Sequence, residues 1–304
     1  MSVNEILLKG LVGSTSIGAM AAFGLLRVCS FTPGLESVKL RWKKEHDWIA
    51  EIIVKDFDED RLLEYLTTTL VNNNSPVLSL FKEDIRVSPV EYSDILNKQL
   101  NMAKSMDRQV VDYLSAFGSD GIVDKSKGLI KPTRFYNVSG NQKFLKIIRQ
   151  IYESLIKMNK ETRKEKIKEA LFGPWKYEDL QHSLGWDPIT ERQYAKRYKN
   201  PTDDKPISVM TATWMAYMSL PLFQTISYHG RLRTAAFDSK SKQFIWPVWH
   251  PPIGFDTLRS LIVSSELMDK NKMHLRGVKA VYSSTRVEIA KGYGVFKPSI
   301  LIWM

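Results

Sequence analysis

The chain is almost devoid of cysteine, and Cys29 is the only one. A lone thiol supports neither a disulfide framework nor a zinc site built on Cys pairs, so the expectation is an intracellular, cytoplasmic protein. Histidine is nearly as scarce: His46, His182, His229, His250 and His274 stand isolated along the chain. His46-Asp47 is a pair that metal-dependent phosphohydrolases use, yet two-metal hydrolysis needs several convergent ligands and no partner histidine lies nearby in sequence. The acidic run Asp56–Asp60 fits the first turn of a solvated helix, where the helix dipole favours carboxylates. No Gly-Lys-Ser/Thr follows Gly10, Gly13 and Gly18, so the lysine of a phosphate loop is missing. No serine stands in a Gly-x-Ser-x-Gly elbow, and Cys29 reads as a small core side chain. The expectation is a non-enzyme with no cofactor and no metal.

Charge is missing from a stretch near the N-terminus, which raises the question of a membrane span. The longest uncharged stretch near the N-terminus, Gly10–Leu26, has seventeen residues and contains four glycines. That is the short limit for a spanning helix, and Asn4 and Glu5 do not make the basic start of a signal peptide. The stretch reads instead as a turn, Gly10–Ser16, with a Ser/Thr cap, followed by a buried helix over Ile17–Val28. Small residues at Gly18, Ala19, Ala21, Ala22 and Gly24 would let a second element approach closely.

What the sequence has in excess is positive charge. Lys and Arg outnumber Asp and Glu by 44 to 33, a net of +11. The excess is uneven, with 13 basic against 17 acidic residues up to residue 120 and 31 against 16 from 121 to 304. Such a skew points to a polyanionic partner for the later part. Lysine-rich helices such as Lys157–Lys168 fit an ordinary solvated face equally well. The chain divides on this basis into an N-terminal α+β part, 1–120, and a basic, nucleic-acid-facing α+β part, 121–304, packed as one unit.

Periodicity predicts a hairpin over Ser37–Val54 with Val38, Leu40 and Trp42 facing inward. Helices are predicted over Asp56–Leu70, Tyr92–Leu114, Gln142–Met158, Thr162–Leu171, Val209–Leu222 and Asp256–Met268, the last capped by Asp256. Ser115–Ser139 and Trp175–Pro206 read as loops. Arg231–Phe237 and Gln243–Trp249 read as a second hairpin, and Val278–Ile289 as a final strand. With no βαβ rhythm and no repeat, the class is α+β, with helices and two or more β-hairpins and no doubly wound parallel sheet.

The loops mix basic, amide and aromatic side chains. Lys125, Lys127, Lys131 and Arg134 come first, followed by Asn141, Gln142 and Lys143 beside Ser139, which can cap the next helix and leave N–H groups for a phosphate. Amides at such a position can reach base edges. Further on, Arg192, Tyr194, Arg197 and Tyr198 interleave cations with rings, a composition suited to phosphate contacts and base stacking. Packing of these rings on their own domain is the competing reading.

Several blocks carry a resemblance that spans most of the chain. They are Phe117-Gly-Ser-Asp-Gly-Ile-Val-Asp-Lys125, Ser139-Gly-Asn-Gln-x-Phe144, Ala170-Leu-Phe-Gly-Pro-Trp-Lys-Tyr-Glu-Asp179, Leu184-Gly-Trp-Asp-Pro188, Arg192-x-Tyr-Ala195 with Asp204-Lys205, Leu220-Pro-Leu-Phe223 and Phe244-Ile-Trp-Pro247. Together with the helix Ile17–Arg27 they resemble the CRISPR-associated accessory or large-subunit-like proteins of type I-G (formerly I-U) effector modules. One segment departs from that pattern. Thr211-Ala-Thr-Trp-Met-Ala216 stands where the family reads Gly-Ala-Asn-Arg-Leu-Ala, so any contact made by that arginine is absent here. The resemblance implies a non-catalytic subunit of an RNA-guided complex, with CRISPR RNA, target DNA and other effector subunits as partners. The alternative is a metal-dependent nuclease or toxin-like effector of a prokaryotic defence system.

Overall fold

In the computed structural model, which describes residues 3–72, 76–103, 108–190, 207–290 and 292–304, the chain opens with strand β1, Val3–Val12. Gly10 therefore lies in a strand rather than in a turn. A β-carbon there would stand 2.4 Å from the Ala170 carbonyl oxygen, so glycine is needed for close packing, which sequence alone reads as a turn signal. The turn is confined to the residues before helix α1, Ser16–Ser30, whose Thr15 hydroxyl accepts the Gly18 N–H at 3.2 Å. Every residue from Ser16 to Cys29 is buried, as the apolar stretch predicts.

Strands β2, Lys39–Lys44, and β3, Trp48–Lys55, form the predicted hairpin, and β1 pairs with β3 to complete an antiparallel sheet ordered β1-β3-β2. Helix α2, Glu59–Asn72, follows with Glu59 and Asp60 in its first turn. The helix predicted over Tyr92–Leu114 is instead two, α3 (Pro89–Met102) and α4 (Gln109–Phe117). The apolar positions of the two halves serve different neighbours, which one continuous stripe could not do. Ser115–Ser139 is corrected as well. It holds a hairpin of β4, Gly118–Asp124, and β5, Leu129–Pro132, because Ile122 and Ile130 are buried amid the Gly, Asp and Lys that suggested a loop.

Helices α5 (Phe144–Lys157) and α6 (Lys160–Phe172) fall where periodicity places them, and α5 buries Phe144, Leu145, Ile148, Ile151 and Leu155. The predicted helix over Val209–Leu222 is α7, Met210–Met218, closed by a 3-10 turn at Leu220–Leu222 where Pro221 cannot continue it. Strand β7, Arg231–Thr234, pairs with an unforeseen β6, Thr225–Tyr228, and the predicted pairing with β8, Gln243–Trp249, is confined to a bridge between Phe237 and Phe244 beside the turn. Strand β8 pairs with the long β9, Val278–Ala290, whose other partners are β10 (Tyr293–Phe296) and β11 (Ile300–Trp303). Helix α8, Phe255–Ile262, stops short of Met268 and is preceded by Gly254, so Asp256 lies in its first turn and does not cap it. A short α9, Lys270–Leu275, leads into β9. All strand pairs among the described residues are antiparallel, and the architecture is α+β.

The core is centred on α1. Gly24 lets α7 approach so closely that a β-carbon there would meet the Met215 carbonyl oxygen at 1.8 Å. Phe23 stacks on Trp249 at 5.8 Å, and Trp42 meets both rings edge-on. Cys29 is fully buried, and burial pushes its thiol up to about 12, which makes it inert. Among the described residues no helix is long and apolar enough to cross a membrane.

Candidate nucleic-acid interface

Two small hairpins stand side by side, and their sequences explain their shape. In the β4–β5 turn, the Asp124 carboxylate accepts the Ser126 N–H at 3.0 Å and the Ser126 hydroxyl at 2.7 Å. Gly128 takes a left-handed conformation, φ +65°, and returns the chain. The turn leaves Lys125 and Lys127 exposed at its tip and Lys131 exposed on β5. Asp124 is held below the usual carboxylate range chiefly by its bonds to Ser126, with Lys127 and Lys131 adding their field. In the β6–β7 hairpin, His229 and Gly230 are the two central residues, at φ +47° and +69°, the geometry of a type I′ turn. Tyr228 and His229 meet edge-on at 4.2 Å, and Tyr228 and Arg231 are exposed beside them. A β-carbon on Gly121 would lie 3.0 Å from Ser227, so the hairpins touch along β4 and β6.

At their base lies an arginine pair. The Arg134 N–H donates to the Thr234 hydroxyl at 3.2 Å, which ties this residue to the end of β7. Its guanidinium is half-buried, and its Nε is buried with no hydrogen-bond partner. Burial lowers its proton affinity, against the opposing fields of Asp238 and Glu288. Arg286, on β9, donates from Nε to Asn137 Oδ1 at 2.7 Å and from Nη2 to the Tyr136 carbonyl at 3.2 Å. Burial first, and then the like charge of Arg134, pull Arg286 down to about 10. Two half-buried guanidiniums, the second within the field of the first and one with an unused donor, offer an anion site that Asp238 and Glu288 only partly offset. Chemically, the region offers flexible lysines for phosphates, rings for stacking and a fixed cationic base.

Of the residues singled out by sequence, the structure gathers Lys125, Lys127, Lys131 and Arg134 on and below one hairpin. Asn141, Gln142 and Lys143 lie elsewhere, in a turn before α5. The expectation that Ser139 caps that helix is not met: α5 begins at Phe144 after Lys143 with no side-chain cap, and the Ser139 carbonyl instead accepts the Gln142 N–H at 3.1 Å. Asn141 and Gln142 are exposed but do not sit in the first helical turn. Arg192, Tyr194, Arg197 and Tyr198 lie outside the described residues. Sequence reasoning missed Tyr228, His229, Arg231 and Arg286. The signal for the first three was Tyr-His-Gly-Arg, a two-residue hairpin turn between β-formers. For Arg286 no local signal exists, because Arg134 reaches it only through the tertiary fold.

Other sequence candidates resolve into packing. Asp47 accepts the Ser14 hydroxyl at 2.5 Å and the Trp48 N–H at 2.6 Å, so its carboxylate serves the β2–β3 turn. Among the described residues no three His, Cys, Asp or Glu side chains are grouped to hold a metal ion. Trp214, within the segment that departs from the resembled pattern, is buried in α7 and donates from Nε1 to the Leu70 carbonyl at 3.1 Å. The departure at Thr211–Ala216 therefore lies in the core. No family model, curated protein or solved structure matches the chain.

Proposed function

We propose that the protein is a non-catalytic nucleic-acid-binding subunit of a cytoplasmic, RNA-guided antiviral effector complex of the type I kind. In this role it would contact the backbone of CRISPR RNA or target DNA beside other effector subunits. The observation that carries the proposal is the pair of abutting basic hairpins over the Arg134–Arg286 base. Lysines on short turns suit phosphate contacts, which set position and affinity without reading sequence. Sequence choice would then fall to guide pairing. The resemblance to type I-G accessory proteins supports the same reading.

Binding of duplex and single-stranded DNA and of RNA, measured across a salt series, tests it. Affinity should fall steeply between low and physiological salt. Replacing Lys125, Lys127 and Lys131 together should weaken binding and flatten the slope by about one unit per lost phosphate contact. Unchanged affinity and slope would return these lysines to the solvated surface. Strand cleavage that depends on added Mg²⁺ would favour an enzyme instead.

A further inference from the structure

A separate pocket of about 640 Å³ opens where the β1–α1 turn, the segment after α6 and the segment around Asp187 meet. Its volume is that of a small-molecule site, roughly 300–1,000 Å³. The walls are aromatic, with Phe172, Trp175 and Tyr177 following one another in sequence and the rings of Trp175 and Tyr177 packed edge-on at 6.1 Å. Asp187 also lines this pocket although it is only 3% exposed. Its Oδ1 accepts the Ile189 N–H at 2.9 Å, and the Tyr177 hydroxyl donates to the same carboxyl. A carboxylate has about four lone-pair sites, so acceptor capacity remains after these two bonds.

The start of α1 borders the pocket. The Ser16 hydroxyl donates to the Trp186 carbonyl at 2.8 Å, which fixes the first turn of α1 beside Asp187. Thr15 satisfies the N–H groups of Gly18 and Ala19, while those of Ser16 and Ile17 have no acceptor within the helix. Thr15 and Ile17 line the same pocket, and the exposed Lys9 stands on its rim. The site thus combines a stacking wall, a buried acceptor and a cation at the mouth.

This chemistry selects among planar ligands. A carboxylate can only accept, so it pairs best with an edge that presents two adjacent donors. Among the standard bases guanine alone has that edge, N1–H beside the N2 amino group, with the O6 acceptor next to it. Cytosine and adenine place a ring acceptor next to their amino group, and uracil flanks its single N–H with two carbonyls. We infer that this pocket binds a guanine base, stacked on Trp175 with its N1–N2 edge on Asp187 and its phosphate toward Lys9. The source of the guanine is a free nucleotide or an unpaired residue of a strand. The inference rests on the pocket alone and not on the hairpin interface.

Calorimetric titration of the intact protein with GMP, AMP, CMP and UMP tests it. GMP should bind about tenfold more tightly than the others, and Asp187→Asn, which replaces half of the acceptor edge by a donor, should erase that preference. Because Asp187 is buried, Ile189→Trp on the exposed rim is the second variant. It should block GMP while leaving the melting temperature unchanged. Equal affinity for the four nucleotides, no binding of any, or full GMP affinity in folded Ile189→Trp overturns the inference. A single-stranded oligonucleotide with one guanine that binds more tightly than GMP assigns the site to a strand, and the reverse assigns it to a free nucleotide. Both results support guanine recognition. The triple lysine variant should keep wild-type GMP affinity, so failure of the interface and failure of the pocket are read separately.

Discussion

Arg134 separates a binding role from a structural one. A half-buried guanidinium with an unpartnered Nε beside a second guanidinium costs stability in the free protein. Arg134→Met should therefore leave stability unchanged or raise it by up to about 1 kcal/mol in urea unfolding, while nucleic-acid affinity falls. A variant that is destabilised and binds normally would make Arg134 a packing residue. Gly24 offers the opposite case, since its missing side chain is what lets α1 and α7 touch. Gly24→Ala should cost roughly 1–3 kcal/mol, because the backbone of Met215 must move. His182 carries a pH dependence. Its Nδ1 accepts the Leu184 N–H at 2.7 Å, and burial lowers its pKa to about 4. The unfolded chain takes up a proton below about pH 6.5 that the folded chain refuses down to about 4, so stability falls as pH falls through that window. Asp187, raised by burial, acts in the opposite direction. The His182 contribution is thus measured as the difference between wild type and His182→Gln, on the order of 3 kcal/mol between pH 7 and pH 4.

At the scale of elements, the hairpins depend on their turns more than on their strands, which are short and half-exposed. Gly230 stands at φ +69° directly after His229 at φ +47°. Gly230→Val places a β-branched residue in the left-handed region and should cost about 1–2 kcal/mol locally. Hydrogen exchange in Thr225–Thr234 should accelerate while β8 and β9 stay protected, and a lower nucleic-acid affinity in this variant would place β6–β7 in the interface. Helices were readable where one face alone is buried. In α5 the apolar stripe is unambiguous, whereas the stretch from Tyr92 to Leu114 serves two environments and reads wrongly as one helix. Strands β4 to β7 were the hardest to read. Each has few apolar residues, and its partner is the neighbouring strand across a short turn, which polar turn residues mask as a loop.

The whole molecule is tied together by bonds that cross the acidic-to-basic divide near residue 120. Trp246 donates to the Gly13 carbonyl at 2.8 Å, and Trp249 donates to the Leu40 carbonyl at 2.9 Å. One hydrophobic cluster runs from Ile6 to Phe296. Heating should therefore give a single calorimetric transition with matching calorimetric and van't Hoff enthalpies. Residues 1–120 expressed alone should show no cooperative unfolding, because α1 would lose α7 and the Trp249 ring that cover it.

By itself the sequence determined the α+β class, the burial of α1, the β2–β3 hairpin and the clustering of three lysines around Gly128. Each rests on a local pattern: an uncharged small-residue stretch, a period of two, and a cluster of like charges around glycine. Tertiary structure alone decided that β8 pairs with β9, that Arg286 comes within the field of Arg134, and that Asp187 faces an aromatic pocket beside the first turn of α1. Those arrangements join residues more than a hundred positions apart or depend on which strand edge remains unpaired. No local periodicity encodes them, because the energy that selects them appears only when distant surfaces are buried together.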